Sequence, residues 1–358
     1  MNDILWTPTK ERADASTMAE FERFLKDQRG LTFDDYNAMW EWSVTDLDGF
    51  WSAIWDYFDV KASAPYTTVM AKRQMPGAEW CPGAMLNYTD QIMKHVDSQP
   101  DGDALIVQSE TFGRKRLSWS ELRAQVASVA AHLRDMGVTK GDRVVAVLPN
   151  TETAMIAFLA TASIGAIWSL CAPDMGHVAI LDRFKQIEPK VLIAQDGYVH
   201  AGKTVDRREI LAGLEAALPS LVQCVTVPFV GDLPKGHMAW DSLLDRDAPY
   251  ESTQVPFDHP LWIVYSSGTT GNPKPIVHGH GGIILESAKQ SLHHDLRRGG
   301  RYCWLTSSGW IMWNSQFTAL GQGTTVAMFD GAPNYPDMGV IWRFVADEKL
   351  DFFGAGAA

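Results

Sequence analysis

Cysteine is sparse. Cys81, Cys171, Cys224 and Cys303 are scattered over 358 residues with no CxxC spacing. That distribution argues against a zinc site and against a disulfide framework, and it fits a cytoplasmic protein carrying ordinary thiols. Positive charge is short as well: 31 Lys and Arg stand against 43 Asp and Glu, for a net charge of −12. Nucleic acid is a poor partner for such a chain, because binding it requires a cationic face that displaces counterions. An anionic small molecule is not excluded, since a local nest of amides with one or two lysines can hold it against an acidic background. No stretch reaches the ~18–20 apolar residues of a membrane span. The opening MNDILWTPTKERADAS lacks the charged-then-apolar design of a signal peptide. Internal repeats and low-complexity tracts are absent too.

What is present is a globular composition, 46% hydrophobic and 21% charged, on a chain long enough for two or three domains. The first eighty residues are crowded with aromatics, and the bland reading of the tryptophans is packing. Phe21, Phe24 and Leu25 fall at helical spacing, as do Leu47, Phe50, Trp51, Ile54, Trp55 and Phe58. Ser16 or Thr17 offers a cap for the first helix, Thr45 or Asp46 for the second. A helical cap over residues 1–80 that packs on a larger body is expected, because so small a helical unit cannot bury a core alone.

Pro76, Gly77, Pro82 and Gly83 break the pattern. Beyond them Ala104–Gln108 and Lys115–Leu117 predict a hairpin around Gly113, and Ser118 with Glu121 a capping box. Val144–Leu148, a helix from Thr151 to about Ser163, and Ala166–Leu170 form a βαβ unit, which requires a parallel sheet. The alternation continues with a helix near Val178–Ile187, the strand Val191–Ala194, a strand through Val222–Phe229 and a short helix at Trp240. After residue 260 the same grammar resumes as far as Asp351–Phe353. The expected fold is α/β, a helical cap followed by layered α/β subdomains. A first lobe is placed at about 100–210 and a second at about 215–358, with the break near 197–220.

Residues 265–274 read YSSGTTGNPK and follow the apolar run Leu261–Val264. Gly268 and Gly271 let the backbone turn its N–H groups inward. Ser266, Ser267, Thr269 and Thr270 add hydroxyl donors, and Lys274 brings the one full positive charge. The segment reads as a clamp for a nucleotide's outer phosphates. It is not a Walker loop, which needs four residues before a Gly-Lys-Ser/Thr end that feeds a helix. Here Pro273 precedes the lysine, and Ile276-Val277-His278 predicts another strand.

These ten residues resemble the phosphate loop of the adenylate-forming enzymes, the acyl-CoA synthetases and their relatives. The likeness covers essentially the whole chain. GDRVVAVLPN is similar to the family's strand entering its first large lobe, TSSGWIMWNS at 306–315 to its acyl-pocket helix entrance, and EWSVTDLDGFWSAIWDYFDV to the N-terminal region of the short-chain members. PGAEWCPGAMLNY and PIVHGHGG carry it on. The APD at 172–174 and the run LDRFKQIEPKVLIA resemble the acetoacetate-activating branch more than the acetate-activating one.

The resemblance implies the AMP-binding large domain over 81–358 and an acid-thiol ligase using ATP with Mg2+ and coenzyme A. The acid would be acetoacetate or another short-chain acid such as acetate or propionate. It also implies that Ser266, Ser267, Gly268, Thr269, Thr270 and Gly271 hold the β- and γ-phosphates, that Lys274 neutralises charge as pyrophosphate leaves, and that Trp310, Ile311 and Met312 wall the acyl pocket. HAGK at 200–203 stands where acetate-activating members resemble RxGR and touch the coenzyme's phosphates; of that set only Lys203 keeps a charge. His278 and His280 straddle a glycine but lack two further ligands nearby, so structural roles are expected and no metal site. Pro275 replaces the small residue usual after the loop lysine. No YGxTE-like or TGD-like motif follows, so the chain reads as the front portion of the family's length, with an incomplete second subdomain. A separately encoded C-terminal portion is a conceivable partner, and a catalytically incompetent nucleotide-binding remnant is the alternative to an enzyme.

Overall fold

The structure, a computed structural model, describes residues 6–266 and 271–356. Ser267, Gly268, Thr269 and Thr270, four of the expected phosphate-loop residues, lie outside the described residues.

The N-terminal cap forms as its periodicity requires. Thr17–Arg29 is helical, with the Ser16 hydroxyl accepting the Ala19 N–H at 3.2 Å, and Leu47–Tyr57 is helical, with Asp46 accepting from Gly49 at 3.0 Å. The caps are therefore Ser16 and Asp46. Thr17 instead docks the helix: its N–H reaches the Asp295 carboxylate at 2.8 Å and its hydroxyl the Leu292 carbonyl at 3.2 Å. Phe21, Leu25 and Ile54 are buried, and Tyr57 meets the Phe21 ring edge-on at 5.1 Å. Two further helices, Lys10–Asp14 and Tyr36–Thr45, complete the cap. Neither carries a clean apolar stripe in sequence.

Two sheets make the body. The larger has seven strands in the order Met238–Ala239, Gln223–Val227, Val191–Gln195, Arg143–Val147, Ile167–Cys171, Pro260–Ser266 and Lys274–Gly279; only the last pair is antiparallel. The smaller has five: Phe352–Ala355, Arg301–Leu305, Thr325–Asp330, Asp103–Ser109 and Gly113–Ser118, again with only the last pair antiparallel. The strands therefore do not sort into lobes at 100–210 and 215–358. The early hairpin at 103–118 joins the late strands, and the pair at 260–279 joins the earlier sheet. Alternating strands and helices predict parallel pairing but not which sheet a strand enters, because a strand buried on both faces carries the same apolar run in either. The stretch treated as a break, 197–220, is ordered as a hairpin, Gly197–His200 with Lys203–Asp206, and a helix, Arg208–Ala217.

Between the sheets runs the helix Glu152–Ser163, every residue of which is buried. A helix apolar all round has no solvent face to present, so it becomes the central layer. Phe158 on it packs against Trp168 and Trp262 of the larger sheet and, at 4.5 Å, against Phe317 of the helix Ile311–Leu320. Thr151 occupies its N-cap position without a side-chain cap bond. The predicted capping box does form: the Ser118 hydroxyl accepts the Glu121 N–H at 3.2 Å, and Glu121 accepts the Ser118 N–H at 2.7 Å. The smaller sheet is tied by one buried carboxylate. Glu348, 0% exposed, receives Arg114 and Arg116 from the hairpin at 2.7 Å each and Arg301 at 3.3 Å.

Candidate active site

Ser266 closes its strand and Lys274 opens the next, and the two are register partners across the antiparallel pair. The phosphate-clamp candidate is thus carried on a two-stranded neck, with a strand and no helix after the lysine. Gly271 has φ +115°, a conformation L side chains rarely adopt, and a Cβ there would meet nothing within 4 Å, so backbone torsion alone calls for glycine. The Lys274 side chain is exposed and makes no hydrogen bond or ion pair among the described residues. Pro275 sits on the outermost strand of the sheet, where its missing N–H interrupts no ladder. The neck is tethered on its other side. Gln186 donates to the Pro273 carbonyl at 3.0 Å, and the Tyr265 hydroxyl donates to the Arg183 carbonyl at 2.9 Å beneath a guanidinium 5.6 Å from its ring centroid.

Beside the neck opens a cleft of ≈ 410 Å³, within the range of small-molecule sites. Its lining includes Trp168, Trp262, Ser266, Ile276 and His278 from the sheet and Ser308, Trp310, Ile311 and Asn314 from the start of the facing helix. The strands Ile167–Cys171 and Pro260–Ser266 register at one pair, Trp168 opposite Trp262, and the cleft lies alongside that junction. Of the expected acyl-pocket residues, Trp310 and Ile311 line this cleft and Met312 does not. Trp310 is 70% exposed, so it forms a rim and not a floor.

A second cleft, ≈ 320 Å³, lies where the two sheets meet, bounded by Asn150, Asp174, His200, Thr306 and Asp330 among others; Ser308 lines both clefts. Asn150 pins the junction, donating to the carbonyls of Thr306 at 3.3 Å and Phe329 at 3.2 Å. Burial pushes the Asp330 carboxyl up to about 6, opposed by the Ser109 hydroxyl donating to it at 2.7 Å. Lys203 is not in either lining. It sits exposed on the hairpin, paired across the turn with His200, whose side of the hairpin faces the second cleft. The turn is held by Glu110, which accepts from the N–H groups of Ala201 at 3.2 Å and Gly202 at 2.8 Å.

Both histidines of HGHGG accept hydrogen bonds at Nδ1. Trp262 donates to His278 Nδ1 at 2.8 Å, and the Tyr88 N–H donates to His280 Nδ1 at 3.1 Å. Burial holds His280 neutral, its pKa lowered to about 3. Among the described residues, Glu215, Cys224 and His237 do come within 4.8 Å of one another. They are already joined as a hydrogen-bonded cluster, His237 bridging Thr226 at 2.7 Å and Glu215 at 3.1 Å, while burial pushes the Cys224 thiol up to about 12. Trp168 and Asp330 had no motif to announce them; only the pairing of distant strands brings them to the clefts.

Comparison with known proteins agrees with this geometry. The family described as AMP-binding enzyme matches residues 92–356, and acetyl-coenzyme A synthetase N-terminus matches 36–92. An acetoacetyl-coenzyme A synthetase of Rhizobium meliloti (strain 1021) is 39% identical over 363 residues, 99% of this chain and 55% of the relative. A malonamoyl-CoA synthetase of Penicillium aethiopicum is 33% identical over 353 residues, 93% of this chain and 48% of the relative. The solved acetoacetyl-CoA synthetase from Streptomyces lividans superposes with a TM-score of 0.97 at 44% identity, covering 99% of this chain and 55% of that one. The chain therefore spans about half the length of the curated relatives it matches. Since the match runs through both sheets, the neck and the two clefts, the chain belongs to the AMP-binding enzyme family.

Proposed function

We propose that this chain carries the ATP- and acid-binding face of an acetoacetate–CoA ligase. The observation that carries the reading is the juxtaposition of Ser266, register-paired with Lys274, and the cleft that Ser266 shares with Trp310 and Ile311. A phosphate clamp thereby opens directly onto an apolar-walled site for a short acid. Residues 266–271 wrap the β- and γ-phosphates, and Lys274 balances the charge of departing pyrophosphate. The acid's carboxylate oxygen attacks the α-phosphorus, the bond to pyrophosphate breaks, and an acyl-adenylate remains. The sulfur of coenzyme A then attacks the acyl carbonyl and expels AMP. Chemistry of this kind asks the protein to position groups and stabilise charge on phosphate oxygens, which amides, hydroxyls and a lysine do without covalent catalysis.

The described lining of the Ser266 cleft contains no carboxylate, so Mg2+ is read as arriving on the nucleotide's own phosphates, its usual mode in such sites. Coenzyme A is assigned to the second cleft, with Lys203 on the adjoining hairpin meeting its phosphates; the wall shared at Ser308 supports a thiol reaching the adenylate from that side. In domain terms, residues 1–80 serve as the helical N-terminal region and 81–358 as the large AMP-binding domain, in a cytoplasmic protein. A second polypeptide supplying the rest of the relatives' length is a partner consistent with the 55% coverage. The acid is narrowed by the relatives' names, since acetoacetyl and malonamoyl groups share a second carbonyl at the third carbon.

The test is equilibrium binding of ATP followed by pyrophosphate release on adding acetoacetate. Binding with acetoacetate-dependent release is expected. Binding without release would mark a nucleotide-binding remnant, and no binding would remove the assignment.

A further inference from the structure

The proposed acid site contains a buried donor that has no partner among the described residues. Trp168 and Trp262 are neighbours on adjacent strands and both line the cleft. Trp262 spends its indole N–H on His278 Nδ1 at 2.8 Å. Trp168, only 1% exposed, finds no partner for its Nε1–H, and of the buried polar atoms left unpaired among the described residues it alone belongs to a residue lining this cleft. The neighbouring polar group is a donor too: His278 accepts at Nδ1, so its neutral ring carries the proton at Nε2, which has no partner among the described residues. Two unspent N–H donors on adjoining residues of this cleft are complementary to a ligand with an acceptor oxygen beyond its carboxylate. A plain aliphatic acid would enter and leave both donors unsatisfied.

Resting on the reading of this cleft as the acid site, we infer that Trp168 is a specificity-determining residue whose Nε1–H donates to the carbonyl oxygen at the third carbon of a 3-oxo acid. The indole is well placed to be rigid. Its strand is an interior one of the seven-stranded sheet, Phe158 packs 6.2 Å from it, and the adjacent Ser169 hydroxyl donates to the Ile263 carbonyl at 2.9 Å, locking the junction with the neighbouring strand. A donor held this way discriminates by chemistry and not by size, which an apolar wall such as Trp310 and Ile311 does poorly.

The experiment compares acetoacetate with butyrate, its counterpart lacking the oxo group. Both are titrated into the protein loaded with an ATP analogue whose α,β-methylene bridge cannot release pyrophosphate. Wild type is expected to bind acetoacetate about tenfold more tightly than butyrate, and Trp168→Phe to erase the difference while holding the analogue as before. Indole N–H resonances of ¹⁵N-labelled wild type give a readout that needs no folded variant: one previously free indole signal should move with acetoacetate and stay still with butyrate. A Trp168→Phe protein that binds the analogue and keeps the preference overturns the inference, as does an indole spectrum indifferent to acetoacetate. If the analogue binds but neither acid does, the acid-site reading falls and takes this inference with it; equal binding of the two acids sinks the inference alone.

Discussion

Ser266 and Lys274 face each other across the antiparallel pair that ends the seven-stranded sheet. The neck beneath them is ordinary ladder, Ile263 opposite Val277 and Val264 opposite Ile276. Backbone pairing thus places the lysine beside Ser266, which lines the cleft, with no partner side chain among the described residues to aim it. In the proposed phosphate clamp Lys274 supplies the charge and the ladder its position, and the two contributions are separable by mutation.

Glu348 is the buried carboxylate shared by three arginines, so Glu348→Ala leaves Arg114 with Asp347, and Arg116 and Arg301 with Asp103, as their remaining carboxylate partners. The guanidiniums are partly exposed and can recover water, which puts the expected loss at the low end for a broken buried pair, about 3 kcal/mol. Urea unfolding should show it as a lower midpoint with an unchanged slope. A loss under about 1 kcal/mol would mean the network behaves as a surface ion pair.

His280 makes stability depend on pH. Its folded pKa is depressed to about 3 by burial, while in the unfolded chain it titrates near the usual ~6.5. The unfolded state therefore binds the extra proton first. The contribution is full above pH ~6.5 and is lost progressively as pH falls toward the folded value, by up to about 1.4 kcal/mol per pH unit. His280→Asn, which keeps an acceptor for the Tyr88 N–H, removes this slope. Denaturation curves at pH 7 and pH 5 should show the wild-type advantage over the variant shrinking by about 2 kcal/mol; a constant gap would contradict the linkage.

Ser118 closes both halves of its capping box. Ser118→Ala should cost about 1 kcal/mol, and Ser118→Gly only a few tenths. Thermal melts of the two variants check the ranking, and equal losses would assign the cost to strand pairing at Ser118 instead of the cap.

Local chemistry was legible wherever neighbours in sequence are neighbours in space. The hairpin around Gly113, the box at Ser118, the helix from Glu152 and the strands Pro260–Ser266 and Lys274–Gly279 all follow from periodicity, caps and turn residues. The sorting of strands between sheets was not, since Asp103–Ser109 meets Thr325–Asp330 across more than two hundred residues through side chains that look alike in any buried strand. The hairpin at 197–206 escaped because its turn is stabilised by Glu110 from far upstream. For the same reason the loop lysine and the Trp310 segment could be picked out as motifs, whereas Trp168 reads in sequence as one more core tryptophan. Met312 is implied with Trp310 and Ile311 by the family resemblance, but on the helix Ile311–Leu320 it lies outside the cleft lining.

The most direct test of the account is the affinity of the wild-type chain and of Lys274→Met for ATP and for adenosine, measured by calorimetry at one fixed ionic strength. The account predicts that wild type prefers ATP, and that the substitution weakens ATP by about tenfold or more while leaving adenosine untouched. Equal affinity for the two ligands, or a Lys274→Met protein that holds ATP as well as wild type, would contradict it.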